Sequence, residues 1–288
     1  MKKEWKERIE EAMGSSVENV SALSGGCVGE VYLGELRDRR RVVVKVEGGS
    51  KPALNIEGEM LLYLAEKSSL VVPRVYLSSG DLLVMEFLEN DGRGGPLAEE
   101  EAADALAELH GVGADAYGFG KDTLIGGLPL WNRWEEDWAR FFREERLLKM
   151  GRSCREAGKL DRKLWEELQE VAAGSEVLIG VPRTPGLIHG DIWSGNVLYH
   201  RGRLAGFIDP AIYYADPEVE LAFITLFQTF GERFFSRYRE RRGLEPGFFE
   251  VRRDLYNLFP LLVHVRLFGG SYVERLRSSV KGLLRELR

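Results

Sequence analysis

The 288-residue sequence predicts an α+β fold in two lobes, a small antiparallel β-sheet with one main helix followed by a larger, mostly helical lobe. Three observations carry this reading. Apolar, β-branched runs crowd the first third of the chain. Helical periodicity dominates after residue 96, and Asn90-Asp91-Gly92-Arg93-Gly94-Gly95-Pro96 packs turn formers between the two regions. The expected division is residues 1–89 and 90–288, with a hinge at about 86–90.

Trp5, Ile9, Ala12 and Met13 recur at helical spacing and predict an opening helix that stops near Gly14. Val28 to Leu36 and Arg41 to Val46 read as strands joined by the charged turn Arg37-Asp38-Arg39-Arg40, hence a hairpin, ended by Gly48, Gly49 and Pro52. Ile56, Met60, Leu61 and Leu64 form the apolar stripe of a helix from Ala53 to Lys67. Two further strands are expected around Val72 to Leu77 and Leu82 to Phe87. Downstream, helices are expected over 97–111, 131–149, 160–173, 217–241, 247–268 and 271–287, interrupted by a loop-and-strand island from Gly186 to Tyr214. Trp131, Trp134, Trp138, Phe141 and Phe142 predict a packed core stripe on the second of these helices.

Composition excludes several classes. Hydrophobic residues make up 44% and charged residues 30%, which fits a globular chain. A net charge of -6 argues against a nucleic-acid partner, which needs a dense basic footprint. Two cysteines advertise no disulfide framework and suit a reducing, cytoplasmic setting. No apolar run reaches the length of about 18 residues that a membrane helix requires. His110, His200 and His264 lack metal-ligand spacing.

The strongest chemical signal is His189-Gly190-Asp191-Ile192-Trp193-Ser194-Gly195-Asn196, followed by Ile208-Asp209-Pro210-Ala211. Phosphoryl transfer asks a protein to orient a hydroxyl and to neutralise phosphate oxygens, largely through divalent metal. Asp191 suits the proton acceptor, and Asn196 and Asp209 offer oxygen ligands to Mg²⁺. In the first lobe, Ser24-Gly25-Gly26-Cys27-Val28-Gly29 lies between strand runs, where glycine amides approach phosphates closely. It lacks the Gly-Lys-Ser/Thr ending of a Walker loop. Lys45, alone in the apolar strand Val42-Val43-Val44-Lys45-Val46, suits the α- and β-phosphates of ATP. The following helix supplies a carboxylate to steady it, with Glu59 the expected partner and Glu57 left open by spacing. Glu86, Phe87 and Leu88 end the last strand of the first lobe, where main-chain groups would meet adenine.

These motifs resemble the fructosamine/ketosamine-3-kinase family, within the protein-kinase-like and aminoglycoside-phosphotransferase-like group. Tyr117-Gly118-Phe119-Gly120, the stretch from Trp134 to Leu147 and Pro217-Glu218-Val219-Glu220-Leu221-Ala222 extend the match over nearly the whole chain. The Trp-Ser-Gly filling between Asp191 and Asn196 is its most family-specific piece. The resemblance implies Mg-ATP-dependent phosphorylation of the 3-hydroxyl of a fructosamine or ribulosamine adduct. It implies Asp191 as base, Asn196 and Asp209 as metal ligands, Lys45 and Glu59 as the phosphate-lysine pair and Glu86 to Leu88 as hinge. Trp193 is expected to shape the ketosamine site. Cys27 reads by default as a small buried-type residue; as a thiol beside phosphate-directed amides it could also oxidise readily, so the expected state is a monomer or a homodimer linked through Cys27 on oxidation. One departure is Ala215-Asp216, where relatives often carry Gly-His; Asp216 before Pro217 suits the cap of the next helix. Kinases of the same architecture acting on aminoglycosides, choline, homoserine or sugars share Asp191, Asn196 and Asp209. A catalytically dead scaffold would be expected to lose Lys45, Asp191 or Asp209.

Overall fold

The computed structural model describes residues 2–23, 29–49 and 52–288. Helix α1 (Lys3–Met13) ends at Gly14, whose φ of 62° is the left-handed stop expected from the sequence. Strands β1 (Val17–Ala22), β2 (Glu30–Leu36), β3 (Arg41–Val46), β4 (Val75–Ser78) and β5 (Leu82–Glu86) form one antiparallel sheet in the order β1-β2-β3-β5-β4. Helix α2 (Leu54–Lys67) packs on β4 and β5.

Alternation along β3 sends its residues to two places. Val42, Val44 and Val46 join Trp5, Ile9 and Met13 of α1 in one core, while Val43 packs with Leu54, Leu61, Leu83 and Met85 in another, under α2. Lys45 shares the parity of Val43 and so faces α2. The Asp81 carboxylate pins α1 to the sheet, accepting hydrogen bonds from Trp5 Nε1 at 2.9 Å and from Arg8. Strand β1 is missing from the sequence expectation because its polar alternation, Glu18, Asn19 and Ser21, leaves it largely exposed.

The second lobe is built on α3 (Pro96–Leu109), the hairpin β6 (Thr123–Ile125) and β7 (Leu128–Leu130), α4 (Trp138–Phe141), a π-helical stretch Phe142–Leu148, α5 (Lys149–Glu156), α6 (Arg162–Ala173) and α7 (Ser175–Ile179). Next come β8 (Gly186–Ile188), β9 (Val197–His200), β10 (Arg203–Phe207) and β11 (Tyr213–Ala215). The chain closes with α8 (Glu218–Leu226), α9 (Glu232–Arg242), a π-helical turn Phe248–Arg252, α10 (Arg253–Tyr256), α11 (Leu258–Leu267) and α12 (Ser271–Glu286). Within the island, β9 pairs with β10 and β8 with β11, both antiparallel.

Two expected helices are corrected. The helix placed over 131–149 begins only at Trp138, where Asp137 caps it by accepting the Arg140 N–H at 2.9 Å. Residues 132–135 are drawn out by main-chain bonds to Tyr117 and Phe119, so Trp134 lies outside the core stripe and is 45% exposed. Trp138, Phe141 and Phe142 are buried as expected. The helix placed over 217–241 breaks at Gln228, with φ 52°. There Glu99 of α3 accepts the N–H groups of Gly231 and Phe234, starting α9 in a new direction. Asp216 accepts the Glu218 N–H at 2.9 Å and so caps α8.

Candidate active site

Lys45 Nζ lies 2.7 Å from Glu57 Oε1 and 2.5 Å from Asp209 Oδ1, a contact that bridges the two lobes. The expected partner Glu59 is corrected to Glu57. On a helix two residues are separated by about 200°, so only one of the pair can face the strand that carries Lys45. Glu57 does, with its side chain 17% exposed, whereas Glu59 turns outward to Lys121 and Asn55. Burial works against the Lys45 charge, but Glu57 and Asp209 outweigh it and hold the ammonium above its ordinary range. Burial, together with the charge of Asp209, pushes the Glu57 carboxyl up against the opposing pull of Lys45.

Strand β8 delivers the catalytic-loop sequence. His189 and Gly190 donate their backbone N–H groups to Glu220 of α8, and His189 O accepts the Ala211 N–H at 2.7 Å. Gly190 has φ 86°, and a side chain there would run into the Ala211 carbonyl. Only glycine fits this crossing. Asp191 follows, half-buried, accepting Asn196 Nδ2 at 2.8 Å on Oδ2. Burial and the neighbouring Asp209 charge push its carboxyl up to about 7, despite the Asn196 hydrogen bond. His189 is fully buried and held below its ordinary value by desolvation; its Nδ1 accepts the Asp191 N–H.

Asn196 and Asp209 meet at the open end of the β9–β10 pair, where Ile208 N–H donates to Asn196 O at 3.0 Å. Asn196 Nδ2 is committed to the Asp191 carboxylate and backbone carbonyl, which leaves Oδ1 as the atom that could serve a cation. Asp209 sits at φ 55°, an uncommon conformation for a residue with a side chain, and such strain clusters at working sites. Three carboxylates, Glu57, Asp191 and Asp209, gather here against the one ammonium of Lys45. The excess negative charge and the hard oxygen donors Asn196 Oδ1 and Asp209 fit a divalent cation such as Mg²⁺. Among the described residues no group of three His, Cys, Asp or Glu side chains is placed to hold a metal ion, so the donors offered here are the Asn196 amide oxygen and the Asp209 carboxylate.

Gly29 opens β2, and Val31 stands directly opposite Lys45 across the β2–β3 ladder. Gly25, Gly26 and Cys27 lie outside the described residues. Glu86 ends β5 and bonds the backbone of Arg74; the Phe87 ring carries the Arg41 guanidinium at 4.4 Å; Leu88 O accepts Asn90 Nδ2. Trp193, 38% exposed, folds over Gly195, where a side chain would collide with its ring. The Trp-Ser-Gly filling therefore works as one unit.

Sequence reasoning missed an aromatic tier running from Trp193 through Phe227 to His264, Phe268 and Tyr272. Its members come from the loop after β8, the end of α8, α11 with its C-cap, and α12, so no local spacing announces it. Glu220 was visible in a quoted motif, but its role depends on where α8 packs.

Residues 1–286 of the 288 match the family model described as fructosamine kinase. A protein named as a ketoamine kinase in Synechocystis is 33% identical over 270 residues, covering 92% of this chain and 90% of its own. A protein-ribulosamine 3-kinase of Arabidopsis thaliana chloroplasts is 32% identical over 298 residues, covering 99% and 88%. The crystal structure of a Thermobifida fusca protein titled as a fructosamine-3-kinase superposes with a TM-score of 0.88 at 32% identity, covering 97% and 98%. An aminoglycoside phosphotransferase bound to gentamicin superposes with a TM-score of 0.66 at 17% identity, a likeness of fold.

Proposed function

The chain belongs to the fructosamine kinase family, and from that premise we propose that it transfers the γ-phosphoryl group of ATP to the 3-hydroxyl of a ketosamine. The observation that carries the reading is the ion pair of Lys45 with Asp209 across the cleft, beside Asp191. The acceptor oxygen attacks the γ-phosphorus, the bond from that phosphorus to its bridging oxygen breaks, ADP leaves, and the hydroxyl proton passes to Asp191. Asp191 is suited to this because a carboxyl held near neutrality accepts a proton that an ordinary aspartate would not retain. Lys45, steadied by Glu57, would be released from Asp209 to the α- and β-phosphates as nucleotide enters. Asn196 and Asp209 would hold Mg²⁺, which when bound neutralises phosphate charge. Gly25, Gly26 and Gly29 would cover the phosphates, and Glu86 to Leu88 would border adenine. Trp193 would form the wall of the acceptor site.

The lobes divide at about residue 90 in this reading, and a cytoplasmic location goes with it. So does a homodimer linked through Cys27 under oxidation, which non-reducing electrophoresis of peroxide-treated wild type and Cys27→Ser would test. The deciding assay is ADP release with Mg-ATP against fructosyl-lysine, ribulosyl-lysine, kanamycin and choline, with Asp191→Asn as blank. Turnover with the first two supports the proposal. Turnover confined to kanamycin or choline overturns the substrate class.

A further inference from the structure

Behind the catalytic loop lies a buried chain of polar groups that phosphoryl transfer does not itself require. Tyr238 OH of α9 is 2.7 Å from His110 Nδ1, and His110 Nε2 at the end of α3 is 2.9 Å from Glu220 Oε2. Glu220 in turn accepts the backbone N–H groups of Gly190, at 2.5 Å on Oε1, and His189, at 3.3 Å on Oε2. His110, Glu220 and Tyr238 are 1%, 1% and 3% exposed. A carboxylate removed from water this completely needs a partner for each lone pair. Its Oε1 serves Gly190, and its Oε2 leans on His110.

We propose that His110 is a positioning residue for the catalytic loop: by holding the Glu220 carboxylate in place, it fixes the two peptide groups that precede Asp191. The geometry of the loop supports this. Gly190 is trapped between Glu220 on one side and the Ala211 carbonyl on the other, with no room for a Cβ. A shift of the carboxylate therefore moves the Gly190 peptide and, one residue on, the base. Among the described residues, His110 is the one side chain that hydrogen-bonds Glu220. Burial acts to raise the Glu220 carboxyl, but His110, His189 and the Gly190 N–H outweigh it and keep the group below its ordinary value. With Glu220 ionised, Nε2 of His110 must carry its proton and donate it, and Tyr238 completes the other ring nitrogen. The ionised carboxylate thereby sets which nitrogen is the donor, and the Tyr238 hydroxyl, able to donate or accept, partners Nδ1.

The kinetic arm of the test rests on the proposed ketosamine kinase activity; the structural arm does not. His110→Phe keeps a planar aromatic ring, somewhat larger than imidazole, and removes the donor, while the smaller His110→Gln restores a donor toward Glu220. Expected for His110→Phe is a fall in kcat of roughly ten- to a hundredfold, the scale of a lost hydrogen bond to a charged group, with KM for ATP little changed. His110→Gln should recover part of kcat. In the Glu220→Gln background, adding His110→Phe should cost little more. By amide hydrogen exchange, Gly190 should be protected in wild type and exposed to exchange in His110→Phe, while amides in α11 stay protected. Tyr238→Phe, a milder change, should move the Gly190 exchange in the same direction. Equal protection of Gly190 in wild type, His110→Phe and Tyr238→Phe overturns the positioning role. So does an undiminished His110→Phe effect in the Glu220→Gln background. Absence of wild-type ketosamine turnover would instead count against the substrate reading, and the exchange result would still decide the role of His110.

Discussion

The hydroxyl of Tyr63 on α2 and the hydroxyl of Tyr214 on β11 lie 3.0 Å apart, joining the helix that carries Glu57 to the segment that follows Asp209. The Tyr63 ring also stands edge-on to Phe119 at 4.9 Å, and Lys121 ion-pairs with Glu59 nearby, so α2 is fastened to the second lobe along its outer side. Tyr63→Phe and Tyr214→Phe should each lower kcat/KM for ATP by roughly two- to tenfold, matching the worth of one neutral hydrogen bond. The double variant should cost no more than either single one, because both remove the same bond. Additive losses in steady-state kinetics would refute the shared-bond account.

Glu57 and Glu59 differ by two positions and should differ greatly in effect. Glu57→Gln takes a charge from beside the buried ammonium of Lys45 and should lower kcat/KM by more than tenfold. Glu59→Gln breaks only an exposed pair with Lys121, worth at most about 1 kcal/mol, and should leave activity within about twofold. A kinetic comparison of the two variants under one set of conditions checks this directly.

This pair also marks the limit of what the sequence makes legible. The hairpin, the one main helix, the island and the Asp191, Asn196 and Asp209 set all follow from local pattern, because periodicity and turn chemistry are local properties. Choosing between Glu57 and Glu59 requires the rotation of α2 on the sheet, which is set by the packing of Leu54 and Leu61 against Leu83 and Met85. The helix boundary at Trp138 was obscured for a related reason. Trp131 and Trp134 continue the aromatic spacing, yet the main-chain pairing with Tyr117 and Phe119 draws them out of the helix. The Asp137 cap was the one local signal that could have overruled the stripe. The aromatic tier and the His110–Glu220 contact exist only once α3, α8 and α11 have packed.

Asp191 gives the pH dependence. Its carboxyl is pushed up to about 7 in the nucleotide-free protein, and in the proposed mechanism only the ionised form can take up the hydroxyl proton. Thus log kcat/KM for the ketosamine at low Mg-ATP should rise with pH at unit slope and level off near neutrality. The same shift has a stability sign. An acid whose folded value lies above its unfolded value near 3.9 favours folding at low pH and loses that contribution as pH rises through about 7. Asp191→Asn should therefore abolish turnover yet leave Tm at pH 8 equal to or above that of wild type. A lower Tm for Asp191→Asn at pH 8 than at pH 4, relative to wild type, would contradict the assignment.

Two glycines of the catalytic loop should fail in different ways, because what meets an added methyl differs. At Gly190 the obstacle is the Ala211 backbone carbonyl, and the φ of 86° itself disfavours a side chain. Backbone cannot step aside cheaply, so Gly190→Ala should cost at least about 2 kcal/mol of stability and remove activity together. At Gly195 the obstacle is the far edge of the Trp193 ring, a side chain 38% exposed that can give way where backbone cannot. Gly195→Ala should therefore melt within a few degrees of wild type while raising KM for the ketosamine several-fold and leaving KM for ATP nearly unchanged. Thermal melts paired with substrate titrations separate the two cases. If Gly195→Ala shifted the ATP and ketosamine KM values equally, Trp193 would have no selective role at the acceptor site.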